Sequence, residues 1–272
     1  TLDWDSSIEQ PRVFSTIDLF ARWLGLVVAG SLMSFILRRV DRLLQKSVFE
    51  SVKNQQLKQY VSHSVAGEIE AGRGNLDLAG KRKRVAVLFC DIQGFTALSE
   101  ELSPEDLLTM LNRYYEVMVD VIFRHEGTLD KYIGDGVMAL FGAPRDLENP
   151  SLSAISCAIA MLQALNELNA KYAYNLSIGV GIHVDQVVVG NLGTEVYKNY
   201  TAVGRGVNIA SRIETLTREA AQPILFSEAV AEDIKDYIVP QPAGRYPLKG
   251  ISESFALYTI DPDRLASLFR KK

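Results

Sequence analysis

A chain of 272 residues that is 47% hydrophobic and 23% charged is long enough to bury one large core or two modest ones, and it reads as globular. Its formal net charge of −4, with no long basic run interleaved with aromatics, lacks the electrostatic footprint of a nucleic-acid binder, although a few local cations can still hold a small anion. Cys90, in an apolar strand-like run, and Cys157, on an apolar helical stripe, are the only cysteines. They exclude a disulfide framework or Cys-rich metal site and suit a reducing compartment, while His63, His125 and His183 lack ligand spacing and read as structural.

Residues 23–37, WLGLVVAGSLMSFIL, carry no charge; Asp3, Asp5 and Glu9 precede them and Arg38, Arg39 and Arg42 follow. Ile17, Leu19, Phe20 and Ala21 extend the run to the ~20 residues that span a bilayer, provided Arg22 snorkels. The expectation is a transmembrane helix over 17–37, an extracytoplasmic tail over 1–16 and everything later on the cytoplasmic side of the cell (inner) membrane. A secretory signal would carry its positive charge before the apolar run. The opening residue is not methionine, so an earlier portion is expected to be absent.

From residue 38 to 60, Val40, Leu44, Val48, Val52 and Leu57 recur at loose helical spacing and suit a weak two-helix coiled coil continuing the membrane helix. Residues 66–83 are glycine-rich and charged, so 38–83 reads as a helical linker with a domain boundary near Lys83. A buried strand over 84–92 follows. Ser103 then caps a helix opened by Pro104, with Leu107, Leu111, Tyr114, Met118, Val121 and Ile122 on its inner face. Two short strands flank Asp135, and a helix over 151–171 has Ile155, Ala158, Ile159, Leu162 and Leu165 as its stripe. Strands LSIGVGIH, QVVVGNL and YTAVG, a helix over 207–216, the strand PILFS and a final β region through YPLKGISESFALYTI complete the chain. This order predicts an α/β (α+β) sandwich with helices covering one side of a largely antiparallel sheet.

Three segments carry chemistry. Asp91 ends the first apolar strand in VAVLFCDIQGFT, with Gly94 close behind, where a carboxylate can meet a hard cation carrying phosphates or simply cap a turn. Asp135 sits in an Asp-Gly pair between apolar runs, DKYIGDGVMALFGAP, a hairpin signal that by itself asks only for a turn residue. If the two strands are neighbours, both carboxylates project over one sheet end and can share a pair of divalent ions, as two-metal phosphoryl chemistry requires. In NYTAVGRGVNIASRIE, Asn208 and Arg212 lie four apart on one helix face, and Arg supplies the planar charged fork a transition-state phosphate needs.

LFCDIQGFTALSE, DKYIGDGVMALFGAP and YTAVGRGVNIASRIE, in this order and at these intervals, resemble the catalytic domain of class III nucleotide cyclases, especially bacterial adenylate cyclases, over about residues 84–260. YVSHSVAGEIEAG resembles the segment that often leads into such domains. The resemblance implies a ferredoxin-like cyclase fold over 84–261 with a tail at 262–272. It also implies conversion of ATP to 3′,5′-cyclic AMP and pyrophosphate in a homodimer joined through the catalytic domains and the linker helix. Carried over by position, Asp91, Asp135 and the Ile92 carbonyl become ligands of two divalent cations, Mg2+ or Mn2+. Lys131 and Thr201 fall where the family reads the base, Asn208 where it orients the ribose, and Arg212 where it stabilises pentavalent phosphorus. Lys249, in YPLKG, falls where a lysine often meets the terminal phosphates. Metal ligands and base readers would come from opposite protomers, so a monomer should be inactive.

Adenine presents N1 as acceptor and its N6 amine as donor, which suits a Lys131 ammonium and a Thr201 hydroxyl that accepts; guanine would favour a carboxylate in place of the lysine. A guanylate cyclase is therefore the alternative, along with a silent cyclase-like module that only binds nucleotide or dimerises; such modules usually lose a metal aspartate or the arginine, and this chain keeps them. Two positions depart from the family's habit: Arg205, where an acidic or small polar residue is usual, and Gly136, where alanine is common.

Overall fold

The computed structural model describes residues 80–194, 198–248 and 254–260, together with Trp23, Leu24, Met33 and Arg39, which are helical and exposed. The chain divides into two compact units, Thr1–Tyr60 and Val61–Lys272, and every element below belongs to the second. The expected membrane helix, most of the linker, His63, Lys249 and the C-terminal tail lie outside the described residues.

Strand β1 (Lys81–Ile92) runs through the centre of the sheet and is buried almost continuously from Val85 onward, as a strand covered on both faces must be. It pairs antiparallel with β3 (Gly136–Phe141) on one side and β4 (Ile178–Gly193) on the other. With β2 (Thr128–Ile133), β6 (Ile224–Ser227), β7 (Gln241–Pro247) and β8 (Ser254–Thr259), the order is β2-β3-β1-β4-β6-β8-β7, and β5 (Lys198–Val203) pairs with the far end of β4. Only β4 and β6 run parallel, so the sheet is mostly antiparallel as expected.

Helices α1 (Phe95–Glu101), α2 (Pro104–Arg124), α3 (Pro150–Tyr172), α4 (Arg205–Thr215) and α5 (Glu228–Ile234) surround it. Ser103 accepts from the Asp106 N–H at 3.2 Å ahead of Pro104, and Glu105 and Asp106 favour the positive end of α2. Asn149 caps α3 from Leu152 N at 3.0 Å, with Pro150 at its first position. By length and composition α3 could cross a bilayer, but its Ile155, Cys157 and Ala158 are core residues on the sheet.

Helices do not cover one side only. Ala86, Leu88, Cys90 and Ile92 face a core shared with α2, α3 and α5, while the alternating Val85 and Val87 join Met138, Leu140, Val187 and Val189 against Val207 and Ala210 of α4. A central strand apolar at every position needs both covers. LSIGVGIH and QVVVGNL, expected as two strands, form the single β4, because β1 keeps pairing past the polar Asp185 (Val85↔Asp185, Arg84↔Gln186). The linker boundary also moves: Lys81–Lys83 pair with β4, and the Lys83 ammonium donates to Pro144 O at 2.7 Å and Asp146 Oδ1 at 2.8 Å. The seven-residue helices α1 and α5 were not expected, being too short for a periodic stripe.

Two close approaches seat α4. A Cβ on Gly181 would lie 2.1 Å from Glu214 N, and one on Gly179 would lie 2.2 Å from Thr217 Oγ1. Gly179 pairs with Asp91, so the C-terminal turn of α4 is held beside that carboxylate.

Candidate active site

Asp91 leaves β1 one residue after the Cys90↔Val137 pair, which sets it against the β2–β3 turn holding Asp135. The two carboxyls lie close enough for each to feel the other. Burial, then the neighbouring Asp135 carboxyl and its charge, push the Asp91 carboxyl up to about 6, with Arg218 opposing. Asp135 Oδ2 is buried with no hydrogen-bond partner among the described residues. Two acidic groups forced together, one with an orphaned buried oxygen, form a donor set that fits a divalent cation better than it fits water or a proton. The turn is braced from behind by Tyr115, whose hydroxyl donates to Gly134 O at 2.5 Å. Gly136 has a steric reason: a Cβ there would stand 2.9 Å from Cys90 O and 3.1 Å from Asp91 Oδ1.

Two residues that sequence reasoning missed share this end of the sheet. Arg218 sits 3.7 Å from Asp91 Oδ2 and donates to Ile92 O at 3.4 Å, so it already engages two of the three groups expected to bind metal. The Glu214 carboxyl is pushed up to about 7, chiefly by burial and then by Asp91. Among the described residues no group of three His, Cys, Asp or Glu is placed to hold a metal ion, and Glu214 is an electrostatic neighbour of the pair. Glu214, on the last turn of α4, and Arg218, just beyond it, come near because Gly179 and Gly181 admit that helix end, an approach invisible in local sequence.

Lys131 and Thr201, 70 positions apart, touch: Lys131 Nζ donates to Thr201 Oγ1 at 3.0 Å. The β4–β5 hairpin folds over the second face of the sheet, where Tyr200 and Ala202 pack with Met138 and Leu140. Asp130, also missed, completes the group: its Oδ2 accepts from Thr201 Oγ1 at 2.6 Å and Ala202 N at 3.3 Å, and its Oδ1 lies 3.0 Å from the Lys131 ammonium. Consecutive strand residues normally face opposite ways. Here the β2–β3 register shifts between Leu129↔Ala139 and Lys131↔Met138, and the bulge at Asp130 turns both side chains to Thr201.

Asn208 and Arg212 lie on one flank of α4, beside its buried Ile209, Ala210 and Ile213; Asn208 is exposed and Arg212 half-buried. Neither side chain makes a hydrogen bond or ion pair with another described residue, so both are available to a ligand or a partner. Arg205, at the first position of α4, faces water.

Among the described residues, Cys90, Cys157, His125 and His183 hold structural positions. Cys90 and Cys157 are free and buried, and desolvation pushes the Cys90 thiol up to about 12 beside Tyr114 Oη at 3.4 Å. His183 pairs with Ser227 Oγ at 2.7 Å, and burial pushes its imidazole down to about 4. His125 caps the end of α2.

The family model of the adenylate and guanylate cyclase catalytic domain matches residues 79–261. The chain belongs to this family. It is 34% identical over 186 residues to "Adenylate cyclase 1" of Rhizobium meliloti (strain 1021), a match covering 67% of this chain and 28% of that protein. The crystal structure of the adenylyl cyclase CyaB from P. aeruginosa superposes with a TM-score of 0.62 at 36% identity, covering 66% of this chain and 95% of that one. That of the guanylyl cyclase Cya2 also gives 0.62, at 34% identity over 67% and 95%. The class III cyclase fold expected from the motifs is thus the fold found, and the three motif segments supply the carboxylate pair, the Lys131–Thr201 contact and the exposed flank of α4.

Proposed function

We propose that this cyclase domain is an adenylate cyclase, converting ATP to 3′,5′-cyclic AMP and pyrophosphate by in-line attack of the ribose 3′-oxygen on the α-phosphorus. The observation that carries it is the convergence of the Asp91 and Asp135 carboxyls at one end of the sheet, with a buried Asp135 oxygen that has no partner among the described residues. Asp91, Asp135 and the Ile92 carbonyl would hold two divalent cations, Mg2+ or Mn2+. Bound there, such ions acidify the attacking hydroxyl and neutralise the leaving phosphates. Asn208 orients the ribose, and Arg212 spreads its charge over the equatorial oxygens of the transition state, where a preorganised cation contributes most. Lys249 is assigned to the terminal phosphates.

Identity does not choose the base, since an adenylyl and a guanylyl cyclase lie at 36% and 34%. Polarity favours adenine: Lys131 offers a donor for N1 and Thr201 an acceptor for the N6 amine. The working unit is a homodimer in which Lys131, Thr201, Asn208 and Arg212 of one copy face the carboxylates of the other. Exposed Val188, Leu192 and Val203 on the β4–β5 hairpin and Tyr132 and Ile133 on β2 support such a contact. The uncharged run at 23–37 and the arginines after it support a membrane tether with the catalytic domain cytoplasmic, and the 38–83 linker would pass its state to the dimer. The test is product analysis with ATP and GTP supplied together: cyclic AMP should dominate, Asp135→Ala should abolish turnover while the domain stays folded, and predominant cyclic GMP or an active Asp135→Ala protein would refute the assignment.

A further inference from the structure

We infer that Asp130 is a positioning residue for purine selectivity: by taking the Thr201 hydroxyl proton it leaves that oxygen able only to accept toward the base. The inference rests on the adenylate reading above and extends it to a residue the motifs do not assign.

A threonine hydroxyl is ambivalent, with one proton to give and two lone pairs to receive. Left free to rotate, it could accept from the N6 amine of adenine or donate to the O6 carbonyl of guanine with little preference. The Asp130 side chain, 0% exposed, removes the choice: the 2.6 Å bond from Thr201 Oγ1 to Oδ2 commits the only proton to a carboxylate. Lys131 Nζ, at 3.0 Å, occupies one lone pair of the same oxygen, which leaves one for a ligand. The ammonium, hydrogen-bonded to Thr201 and held by charge near Asp130 Oδ1 at 3.0 Å, keeps proton capacity for the ligand. The outward pattern is then donor at Lys131 and acceptor at Thr201, complementary to adenine N1 and N6. Guanine would oppose N1–H to the ammonium and O6 to a lone pair, leaving buried polar groups unpaired on both partners.

Asp130 reaches Thr201 only because of the register shift between Leu129 and Lys131, since regular pleating would send it to the face opposite Lys131. The Ala202 N–H, 3.3 Å from Oδ2, requires an acceptor at that position. In the Asp130→Asn variant the amide would therefore place its oxygen there and keep the Thr201 bond. This separates the polarity role from the ion pair with Lys131.

The experiment measures kcat/KM for ATP and GTP on the full chain, with thermal unfolding as the check on folding. Asp130→Ala is expected to lower the ATP/GTP ratio about ten-fold, the size of one hydrogen bond's discrimination, whereas Asp130→Asn keeps the ratio within about three-fold. In a Thr201→Val background, Asp130→Ala should change the ratio no further, because the hydroxyl it acts through is gone. If Asp130→Ala does not fold, Asp130→Ser, whose hydroxyl can donate back to Thr201, should give the same fall. Calorimetric binding of 3′-deoxy-ATP and 3′-deoxy-GTP reads the same ratio without turnover. An unchanged ratio in folded Asp130→Ala, or an equal fall in Asp130→Asn, overturns the inference while leaving an ATP-selective wild type intact. A wild type that itself prefers guanine overturns the adenylate reading together with this inference.

Discussion

Asp135→Asn should abolish turnover and at the same time stabilise the metal-free protein. Asp91, ordinarily near 3.8, is pushed up to about 6, so the native state holds that proton more tightly than the unfolded chain does. For a carboxyl shifted in this direction, stability is greatest below pH 3.8, falls as pH rises, and carries the full penalty above pH 6. A shift of this size amounts to at most about 3 kcal/mol at about 1.36 kcal/mol per pKa unit. Burial is its largest cause and Asp135 supplies the next two. Because the Asp91 side chain is 32% exposed, solvent screening reduces the part released by neutralising Asp135 to about 1 kcal/mol. For a domain of this size that is a Tm increase of about 2–4 °C. The assay is urea or thermal unfolding of wild type and Asp135→Asn with chelator present, at pH 8 and again at pH 4. The gain should be present at pH 8 and absent at pH 4, and Mn2+ should raise the wild-type midpoint but not the variant's. A variant less stable than wild type at pH 8, or one that still turns over, would show that the two carboxylates do not share a cation site.

His183 makes acid costly in a different way. Its imidazole, pushed from 6.5 down to about 4 by burial, with Arg205 lowering and Asp185 raising it, binds protons less readily folded than unfolded. Stability is therefore intact above pH 6.5 and declines as pH falls toward 4. Between about pH 7.5 and pH 5 the loss is about 2 kcal/mol, and His183→Gln should remove this component; identical pH profiles for the two proteins would refute it. Gly181→Ala places a methyl 2.1 Å from Glu214 N and 2.5 Å from its Cα, and backbone cannot swing aside. The expected cost is about 3 kcal/mol by urea unfolding, with reduced turnover because the helix carrying Arg212 is displaced; an unchanged midpoint would mean that α4 does not sit this close to β4.

What could be read from sequence was what local pattern encodes. Ser103 and Pro104 announce the start of α2, the apolar run ending at Asp91 announces a central strand, and the Asp-Gly pair announces the turn that holds Asp135. The candidate positions were legible because they sit at strand ends, turns and one helix flank. Long-range consequences were not. Asp185 looks like a break until β1 is seen pairing across it, and Lys81–Lys83 look like linker until β4 supplies their partners. Asp130 was overlooked because alternation assigns it away from Lys131 and only the bulge brings it back. Glu214 and Arg218 were overlooked because their place beside Asp91 depends on two glycines, at 179 and 181, that admit the end of α4.

In the proposed arrangement a tether and linker at 17–83 would supply control, and the chemistry would depend on the two halves of each site meeting across a pair of molecules. The most direct measurement mixes Asp135→Ala with Arg212→Ala, each inactive alone, and follows cyclic AMP formation from ATP. About half the dimers in an equal mixture are heterodimers, and each contains one intact site and one doubly defective site. Turnover should recover to about one quarter of wild type at subunit equilibrium. A mixture that stays as inactive as its components, while forming heterodimers, would contradict a site shared between two copies of the chain.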